Sequence, residues 1–214
     1  MALAVDRYEL GPIGTNCYVV RAAREAPEAV VIDPGDDVTD VRAELERAGA
    51  RCAGILVTHT HFDHLGGIAD LAEATGAPVW ISEREAFVLE RPDDVYAAYG
   101  VHIRPWSAEH RLAGDEAFAL GGVDWQTILV PGHSPGHLAF AADGALFSGD
   151  VLFAGSVGRV DLPGGDWATL LDSIRLLAER YPPETAVYPG HGPATTLGEE
   201  LERNPFLTEL RAAR

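Results

Sequence analysis

A seven-residue segment, residues 58–64, constrains this chain more than any other feature of its sequence. It follows directly on an apolar run, residues 54–57, which predicts a buried strand. Imidazole nitrogens and carboxylate oxygens are the ligands that zinc and its neighbours in the first transition row prefer. A loop that leaves a strand can turn such side chains toward one point, whereas a helix would spread alternate residues over different faces. We therefore expect a metal site formed by the four candidate ligands of this segment, His59, His61, Asp63 and His64.

Three further candidate ligands occur at long intervals, and each follows an apolar run and a glycine. They are His133 after Gly132, Asp150 after Gly149, and His191 after Gly190. Glycine at these turns lets backbone and metal approach closely, and the sheet behind each strand end holds the ligand in place. Seven ligands suit two cations better than one, with a carboxylate bridging them and a position left for water. Asp150 is the natural bridge.

The composition favours a single globular domain over residues 1–214. Hydrophobic residues make up 47% of the chain, enough for one substantial core, yet no run approaches the roughly 20 apolar residues of a membrane helix. The start of the chain lacks the basic segment of a secretory signal, so we expect a cytoplasmic protein without membrane contact. A net charge of −17 argues against a nucleic-acid partner, because phosphate binding needs clustered basic residues. The oligomeric state stays open.

Apolar runs and helical patterns alternate along both halves of the chain, which favours sheets covered by helices. Segment 91–112 has no regular pattern and is a candidate cover for the site. A helix predicted over 37–48 is followed by Gly49, a residue typical of a C-terminal cap. The other predicted helices begin near Leu65 and cover 166–180 and 197–209. The predicted strands cover residues 17–20, 29–32, 54–57, 123–130, 138–142, 145–148 and 186–188.

The order His-x-His-x-Asp-His, followed by a distant histidine, aspartate and histidine, resembles the ligand pattern of the metallo-β-lactamase superfamily over nearly the whole chain. The resemblance implies an α/β fold, a four-layer αββα sandwich. It also implies two divalent cations, zinc in the first place, with iron or manganese as alternatives. Asp33 lies where the superfamily has an acid that orients a ligand histidine. One cation would be held by His59, His61 and His133 and the other by Asp63, His64 and His191, with Asp150 between them.

Several segments resemble the glyoxalase II group of this superfamily, in its short bacterial type. These segments are 11–18, 131–137, 149–153, 155–161, 189–200 and 204–206. The resemblance implies hydrolysis of a hydroxyacylglutathione, with S-D-lactoylglutathione giving glutathione and D-lactate. Arg159 lies where members of the group have a lysine that contacts a glutathione carboxylate, and arginine suits a bidentate contact of that kind. Asp161 departs from the tyrosine found there.

The implied reaction is attack on a thioester carbonyl by a hydroxide that bridges two cations. Coordination lowers the pKa of water from about 15.7 to about 7 in the best-known zinc case, so hydroxide is available near neutral pH. Asp63 and Asp150 are the expected catalytic carboxylates, because they would fix the cations and orient the water. A thiol with a pKa of about 8.5 leaves as thiolate with little help from an acid.

Other functions stay open from the sequence. A persulfide dioxygenase of the same fold uses a single iron, and residues 158–161 also resemble its Gly-Arg-Thr-Asp stretch. Hydrolysis of lactones, β-lactams or other esters is a second alternative, and a metal-stabilised protein without catalysis is a third. His137 repeats the pattern of His133 four residues later, but we expect it to pack in the core or to support a ligand.

Overall fold

The computed structural model describes residues 3–212, which form two six-stranded sheets and one two-stranded ribbon. The first sheet contains, in spatial order, β1 (Ala4–Leu10), β2 (Thr15–Arg21), β3 (Glu28–Ile32), β4 (Arg51–Leu56), β5 (Val79–Ser82) and β6 (His110–Leu112). The second contains β14 (Thr195–Thr196), β13 (Ala186–Pro189), β10 (Ala145–Gly149), β9 (Leu138–Ala142), β8 (Val123–Leu129) and β7 (Ala117–Leu120). The ribbon pairs β11 (Leu152–Phe153) with β12 (Ser156–Val157).

Helices cover the outer faces of the two large sheets. They are α1 (Thr39–Ala48), α2 (Phe62–Leu65), α3 (Ile68–Thr75), α4 (Ala86–Glu90), α5 (Asp93–Tyr96), α6 (Trp167–Arg180), α7 (Leu197–Arg203) and α8 (Thr208–Ala212), with 3₁₀ turns at Ala97–Tyr99 and Pro205–Leu207. Apolar residues of α1, α3 and α4 pack against the first sheet, and those of α6, α7 and α8 against the second. Among residues 3–212, no helix is long and apolar enough to cross a membrane.

The alternation of side chains along the strands separates three apolar layers. In β3, Ala29 and Val31 belong to the cluster beneath α1, whereas Val30 and Ile32 face the opposite side. That opposite side is a central cluster formed by both sheets, with Phe140 of the second sheet fully buried in it. Successive side chains of a strand point to opposite faces of the sheet, so each strand contributes side chains to two apolar layers. The predicted four-layer αββα sandwich is confirmed.

Parallel strands bring their carboxyl ends to one edge of the molecule. Strands β3 to β6 run parallel in the first sheet, and β10 and β13 run parallel in the second. The two sheets are joined at this edge by a hydrogen bond of 2.8 Å from the Leu138 N–H to the Thr58 carbonyl. Within the second sheet, the Gly190 N–H donates to the Gly149 carbonyl at 2.8 Å. The loops that leave β4, β10 and β13 therefore meet in one place.

Helices α1 and α7 end differently with respect to the helix ends that the sequence predicts. Helix α1 ends at the predicted cap, where Gly49 has a left-handed φ of 62°. The prediction of one continuous helix over 197–209 is wrong. Asn204 is extended, with φ −62° and ψ 120°, and Pro205 after it has no N–H for a helical hydrogen bond, so α7 ends at Arg203.

The segment 91–112 is more regular than the sequence predicts. It contains α5, a 3₁₀ turn and the edge strand β6, which pairs in parallel with β5. The prediction failed because β6 has only three residues, too few for any periodicity to be seen. The sequence also missed the edge strands β1, β7 and β14, strand β5 next to the edge strand β6, and the two-residue strands β11 and β12 of the ribbon.

Candidate metal centre

The seven predicted ligands converge at the edge where strands of both sheets end. The loop after β4 is extended through His61, which has φ −65° and ψ 147°, and the next residues form the single turn of α2. This change from loop to helix turns the ligands of one short segment toward two neighbouring points. The others come from the loops after β8, β10 and β13. The ligands and their sources are His59, His61, Asp63 and His64 after β4, His133 after β8, Asp150 after β10, and His191 after β13.

Three imidazoles form the first donor group, defined as His59, His61 and His133. The Nε2 atom of His59 lies 3.1 Å from Nδ1 of His61 and 3.2 Å from Nε2 of His133. Ligand atoms around a tetrahedral zinc ion with bonds of about 2.0–2.1 Å lie roughly 3.3 Å apart. The spacing of these nitrogens therefore suits one shared cation.

A carboxylate and two imidazoles form the second donor group, defined as Asp63, His64 and His191. Oδ2 of Asp63 lies 3.4 Å from Nε2 of His64 and 3.3 Å from Nε2 of His191. These separations again match those of ligands on one tetrahedral ion. The sequence-based division of the ligands into two sets corresponds to these two groups.

Asp150 lies between the two donor groups. Its Oδ2 is 3.5 Å from Nε2 of His133 and 3.5 Å from Nε2 of His191, and its Oδ1 is 3.5 Å from Nε2 of His64. Oδ1 of Asp150 and Nε2 of His64 are both buried, and neither has a hydrogen-bond partner among residues 3–212. Buried polar atoms are rarely left unpaired, so atoms aimed at a common point fit ligation of a cation. A Cβ at Gly190 would lie 2.1 Å from Oδ1 of Asp150, which explains the glycine there.

Hydrogen bonds fix which nitrogen of three ligand histidines faces the site. Nδ1 of His64 donates to Oδ2 of Asp33 at 2.9 Å, and Nδ1 of His133 donates to the Arg159 carbonyl at 2.7 Å. Nδ1 of His59 contacts the Thr58 hydroxyl at 3.1 Å, and that hydroxyl donates to Asp33 at 2.6 Å. In each case Nε2 keeps its lone pair for a metal, which is how supporting groups orient ligand histidines. The predicted role of Asp33 corresponds to this geometry.

The first donor group is electrically neutral near neutral pH. Burial lowers the pKa of His61 to about 4, with the neighbouring His133 acting in the same direction. Burial also lowers the pKa of His59, well below its ordinary value, and that of His133. Neutral imidazole is the form that binds metal, so these nitrogens are ready to ligate without losing a proton.

The second donor group carries charge on both kinds of side chain. Burial opposes a charge on His64, but Asp33 and Asp150 raise its pKa well above its ordinary value. The hydrogen bond with Asp63 raises the pKa of His191. Burial would raise the pKa of Asp63, but the His191 bond and the His64 charge lower it to about 2. A cation bound here would replace protons on the imidazoles as the partner of the carboxylates.

The segment that follows β1 supports the second donor group, a role that sequence reasoning missed. The Thr15 hydroxyl donates to Oδ2 of Asp63 at 2.6 Å. The Asn16 side-chain amide donates to the carbonyls of Pro189 and Gly192, which flank His191, at 2.8 Å each. The sequence offered this segment only as a resemblance, because its partners are between 48 and 176 residues away in the chain.

His137 supports Asp150 rather than serving as a ligand. It is fully buried, it stacks on His59 with ring centroids 4.7 Å apart, and its Nε2 accepts a hydrogen bond from the Asp150 N–H at 3.0 Å. A Cβ at Gly149 would lie 2.8 Å from that nitrogen, so the close approach depends on glycine. The expectation that His137 packs in the core or supports a ligand corresponds to these contacts.

Arg159 contributes to the site through its backbone, and its side chain is directed to Asp161. The guanidinium and the Asp161 carboxylate form two hydrogen bonds of 2.6 and 2.7 Å, and both side chains are exposed. Water and salt screen an exposed ion pair of this kind, so Asp161 can be exchanged for another carboxylate at little cost. The predicted contact between Arg159 and a substrate carboxylate stays a prediction.

A cavity of about 170 Å³ opens beside Asp63. Its walls combine the apolar residues Ile13, Phe62 and Val101 with the acidic residues Asp36 and Asp63. Of the described residues that line it, none is an arginine. Part of segment 91–112, predicted as a cover for the site, therefore lies next to the second donor group.

The fold and the two donor groups define a class of protein, and comparison with known families agrees with it. A family model described as the metallo-β-lactamase superfamily matches residues 10–191. The chain belongs to the metallo-β-lactamase superfamily, as its ligand pattern predicts.

Among its relatives, the chain is similar to the probable metallo-hydrolase YqgX of Bacillus subtilis, with 34% identity over 205 residues, 94% of this chain and 96% of that protein. It is also similar to the hydroxyacylglutathione hydrolase GloC of Haemophilus influenzae, with 33% identity over 197 residues, 90% of this chain and 92% of that protein.

Two solved structures have closely similar folds. The B3 metallo-β-lactamase BLEG-1 matches with a TM-score of 0.89 and 38% identity, and the match covers 96% of this chain and 100% of the BLEG-1 chain. TTHA1623, solved in a di-iron-bound form, matches with a TM-score of 0.82 and 42% identity, covering 95% of this chain and 100% of that one.

Proposed function

We propose that this protein is a metal-dependent hydrolase that cleaves thioesters with water activated between two divalent cations. The observation that carries the proposal is the convergence of seven donor side chains from both sheets, with Asp150 between the two donor groups. These side chains would hold two divalent cations, which would supply a hydroxide near neutral pH and a polarised carbonyl oxygen. Zinc is the first choice for this donor set, iron and manganese are alternatives, and the di-iron form of TTHA1623 supports iron.

The chain's own residues prepare the site for this chemistry. The carboxylates of Asp63 and Asp150 stay ionised at neutral pH, because nearby imidazoles outweigh burial and lower both pKa values. Ionised carboxylates offset the charge of two cations and accept a hydrogen bond from an attacking water. Asp150 is placed to hold that water between the donor groups, and His137 holds the Asp150 backbone. The histidines of the first donor group complete the site as neutral ligands.

A thioester is the substrate class that best suits the site. A thiol with a pKa of about 8.5 leaves without a dedicated acid, so the two catalytic carboxylates need no third partner. The similarity to the hydroxyacylglutathione hydrolase GloC supports S-D-lactoylglutathione or a similar hydroxyacylglutathione, with glutathione and a 2-hydroxy acid as products. Arg159 is then proposed to exchange Asp161 for a carboxylate of the thiol carrier. The proposed partner is this small molecule alone, and a cytoplasmic location stays a prediction.

Hydrolysis of a cyclic amide or ester is the second candidate function. The similarity to the B3 metallo-β-lactamase BLEG-1, at 38% identity, is the observation that favours it. The same nucleophile and the same polarised carbonyl would serve this reaction. A lactam nitrogen is a poorer leaving group than a thiolate, and this reaction therefore needs a proton donor that thioester cleavage does not.

The two functions are separated by assaying each metal-loaded preparation of the protein against the same set of substrates. Metal content is measured first, on protein reconstituted separately with zinc, iron and manganese. Hydrolysis of S-D-lactoylglutathione, a β-lactam and a lactone is then compared, together with oxygen uptake on glutathione persulfide. We expect two metal ions per chain and the highest kcat/KM for the thioester.

The variant Asp150→Ala should lose both bound metal and turnover, because its carboxylate lies between the donor groups. A single iron with oxygen uptake on the persulfide would refute the proposal in favour of a dioxygenase. A fully metallated protein inactive on every substrate would indicate a binding protein without catalysis.

A further inference from the structure

Glu85 is a buried carboxylate that the proposed mechanism does not use. It lies between β5 and α4, and only 4% of its surface is exposed. Burying a carboxylate is expensive unless several hydrogen bonds or a counter-charge stabilise it. The partners of this side chain are therefore informative.

Within the described residues, the hydrogen bonds of the Glu85 side chain all go to two loops that carry candidate metal ligands. Oε2 accepts from the N–H and from the hydroxyl of Thr60, at 3.0 Å each. Oε1 accepts from the N–H of Gly136 at 2.7 Å. Thr60 lies between His59 and His61, and Gly136 lies three residues after His133. One carboxylate thus joins the two loops that hold the whole first donor group.

The backbone of the second loop is adapted to this contact. A Cβ at Gly136 would lie 2.7 Å from the Ser82 hydroxyl and 2.8 Å from Cγ of Glu85, so only glycine lets the carboxylate reach the Gly136 N–H. A backbone bond from Leu138 to Thr58 already joins the bases of the two loops. Glu85 adds a second link near the ligands, and together the two links fix the angle between the loops.

The charge of Glu85 has no basic partner in the part of the chain that the structure describes. Its polar contacts there are backbone N–H groups and one hydroxyl, and none of the ion pairs includes it. Nearby, the Tyr96 hydroxyl donates to the Thr60 carbonyl, which is on the same loop. A neutral first donor group of three imidazoles brings no negative charge of its own to a cation. A buried carboxylate directly behind its loops supplies that charge.

We propose that Glu85 is a positioning residue for the cation of the first donor group, acting by spacing the two ligand loops and by placing a negative charge behind them. The inference rests on the proposed two-cation site. It predicts a selective effect, because the side-chain hydrogen bonds of Glu85 within residues 3–212 go to Thr60, between His59 and His61, and to Gly136, on the loop of His133. If Glu85 only held the fold together, its loss would weaken the binding of both cations equally or lower the stability of the metal-free protein.

The test is a titration of metal-free protein with Co²⁺ or Zn²⁺ against a competing chelator. Glu85→Gln keeps the side-chain size but removes the charge and one acceptor oxygen. Removing a supporting partner of a metal ligand typically weakens binding about 10–100-fold, and we expect this loss for one of the two cations only. Glu83→Gln, an exposed change two residues earlier, is the matched control and should bind both cations as the unchanged protein does.

Two backgrounds identify which cation is weakened. In the His191→Ala background, which disables the second donor group, Glu85→Gln should weaken the binding of the remaining cation about 10–100-fold. In His61→Ala, which disables the first donor group, the same change should have no effect on the cation that remains. Thr60→Val keeps the charge and removes one hydrogen bond, and should give a smaller loss in the same direction even if Glu85→Gln folds poorly.

Equal weakening of both cations, or no weakening of either, would overturn the role of Glu85. A Thr60→Val variant that lowers only the unfolding temperature of the metal-free protein would overturn it as well. Fewer than two cations bound by the unchanged protein would instead refute the proposed function itself, so the two failures are distinguishable.

Discussion

Asp33→Asn tests how far the support behind the ligands controls metal binding. The two oxygens of Asp33 accept three hydrogen bonds, from the Thr58 N–H at 2.8 Å, the Thr58 hydroxyl at 2.6 Å and Nδ1 of His64 at 2.9 Å. An asparagine has one acceptor oxygen for these donors. If its oxygen replaces Oδ2, its NH₂ group faces the Thr58 N–H. If it is rotated, NH₂ faces Nδ1 of His64 and favours the tautomer with a proton on Nε2, which cannot ligate.

The expected size of the effect follows from the loss of this one carboxylate. A hydrogen bond to a charged group contributes about 1.5–3 kcal/mol. Loss of a supporting partner typically weakens metal binding about 10–100-fold, which corresponds to about 1.4–2.7 kcal/mol. We expect Asp33→Asn to weaken the binding of the cation of the second donor group by this amount. Asn is the suitable replacement because Asp33 has a left-handed φ of 51°, which Asn tolerates and Ala does not.

Calorimetric titration of the metal-free protein with Zn²⁺ measures this affinity directly. Asp143→Asn is the matched control, because Asp143 is exposed in a turn and also has a left-handed φ, 46°. The control should bind both cations normally, which would show that asparagine at a positive φ is harmless. Affinities of Asp33→Asn within twofold of the unchanged protein would refute the reasoning, since the His64 tautomer would then be fixed by something other than Asp33.

Two further predictions concern close packing and pH. Gly190→Ala should bind metal poorly and lose turnover, because the new Cβ would lie 2.1 Å from Oδ1 of Asp150. The metal content of the variant after dialysis measures this loss. A variant that keeps its full metal content and its activity would contradict the prediction. Metal binding by the second donor group should strengthen as pH rises above about 6.5, because His64 and His191 have raised pKa values and must release protons to ligate. The proton-linked stability that these two histidines give the metal-free protein is present below that pH and is lost as pH rises through their folded-state pKa values. Calorimetric metal titrations at about pH 6 and about pH 8, in buffers of different ionisation enthalpy, measure this proton release. We expect it only for the cation of the second donor group, because His61 in the first donor group is already neutral, with a pKa of about 4.

The sequence by itself was enough to predict the donor side chains of the candidate metal centre. Residue type and local spacing predicted His59, His61, Asp63 and His64 as donors, because ligand preference depends on the side chain and convergence depends on the loop after a strand. The layered fold was also predictable, because alternating strand patterns separated by amphipathic helices leave few ways to bury apolar faces. Short edge strands such as β6 were not, because three residues carry no periodic signal.

The tertiary structure decided which groups support the donors and which tautomers they adopt. Resemblance alone assigned Asp33 to a ligand histidine, without indicating which one, whereas Thr15 and Glu85 had no local pattern to reveal them. Their hydrogen bonds join residues 31, 48 and 51 positions apart. Contacts of this kind exist only after two sheets have packed and brought their strand ends to one edge. Hydrogen-bond geometry is a property of distance and direction in space, and residue order alone does not specify it.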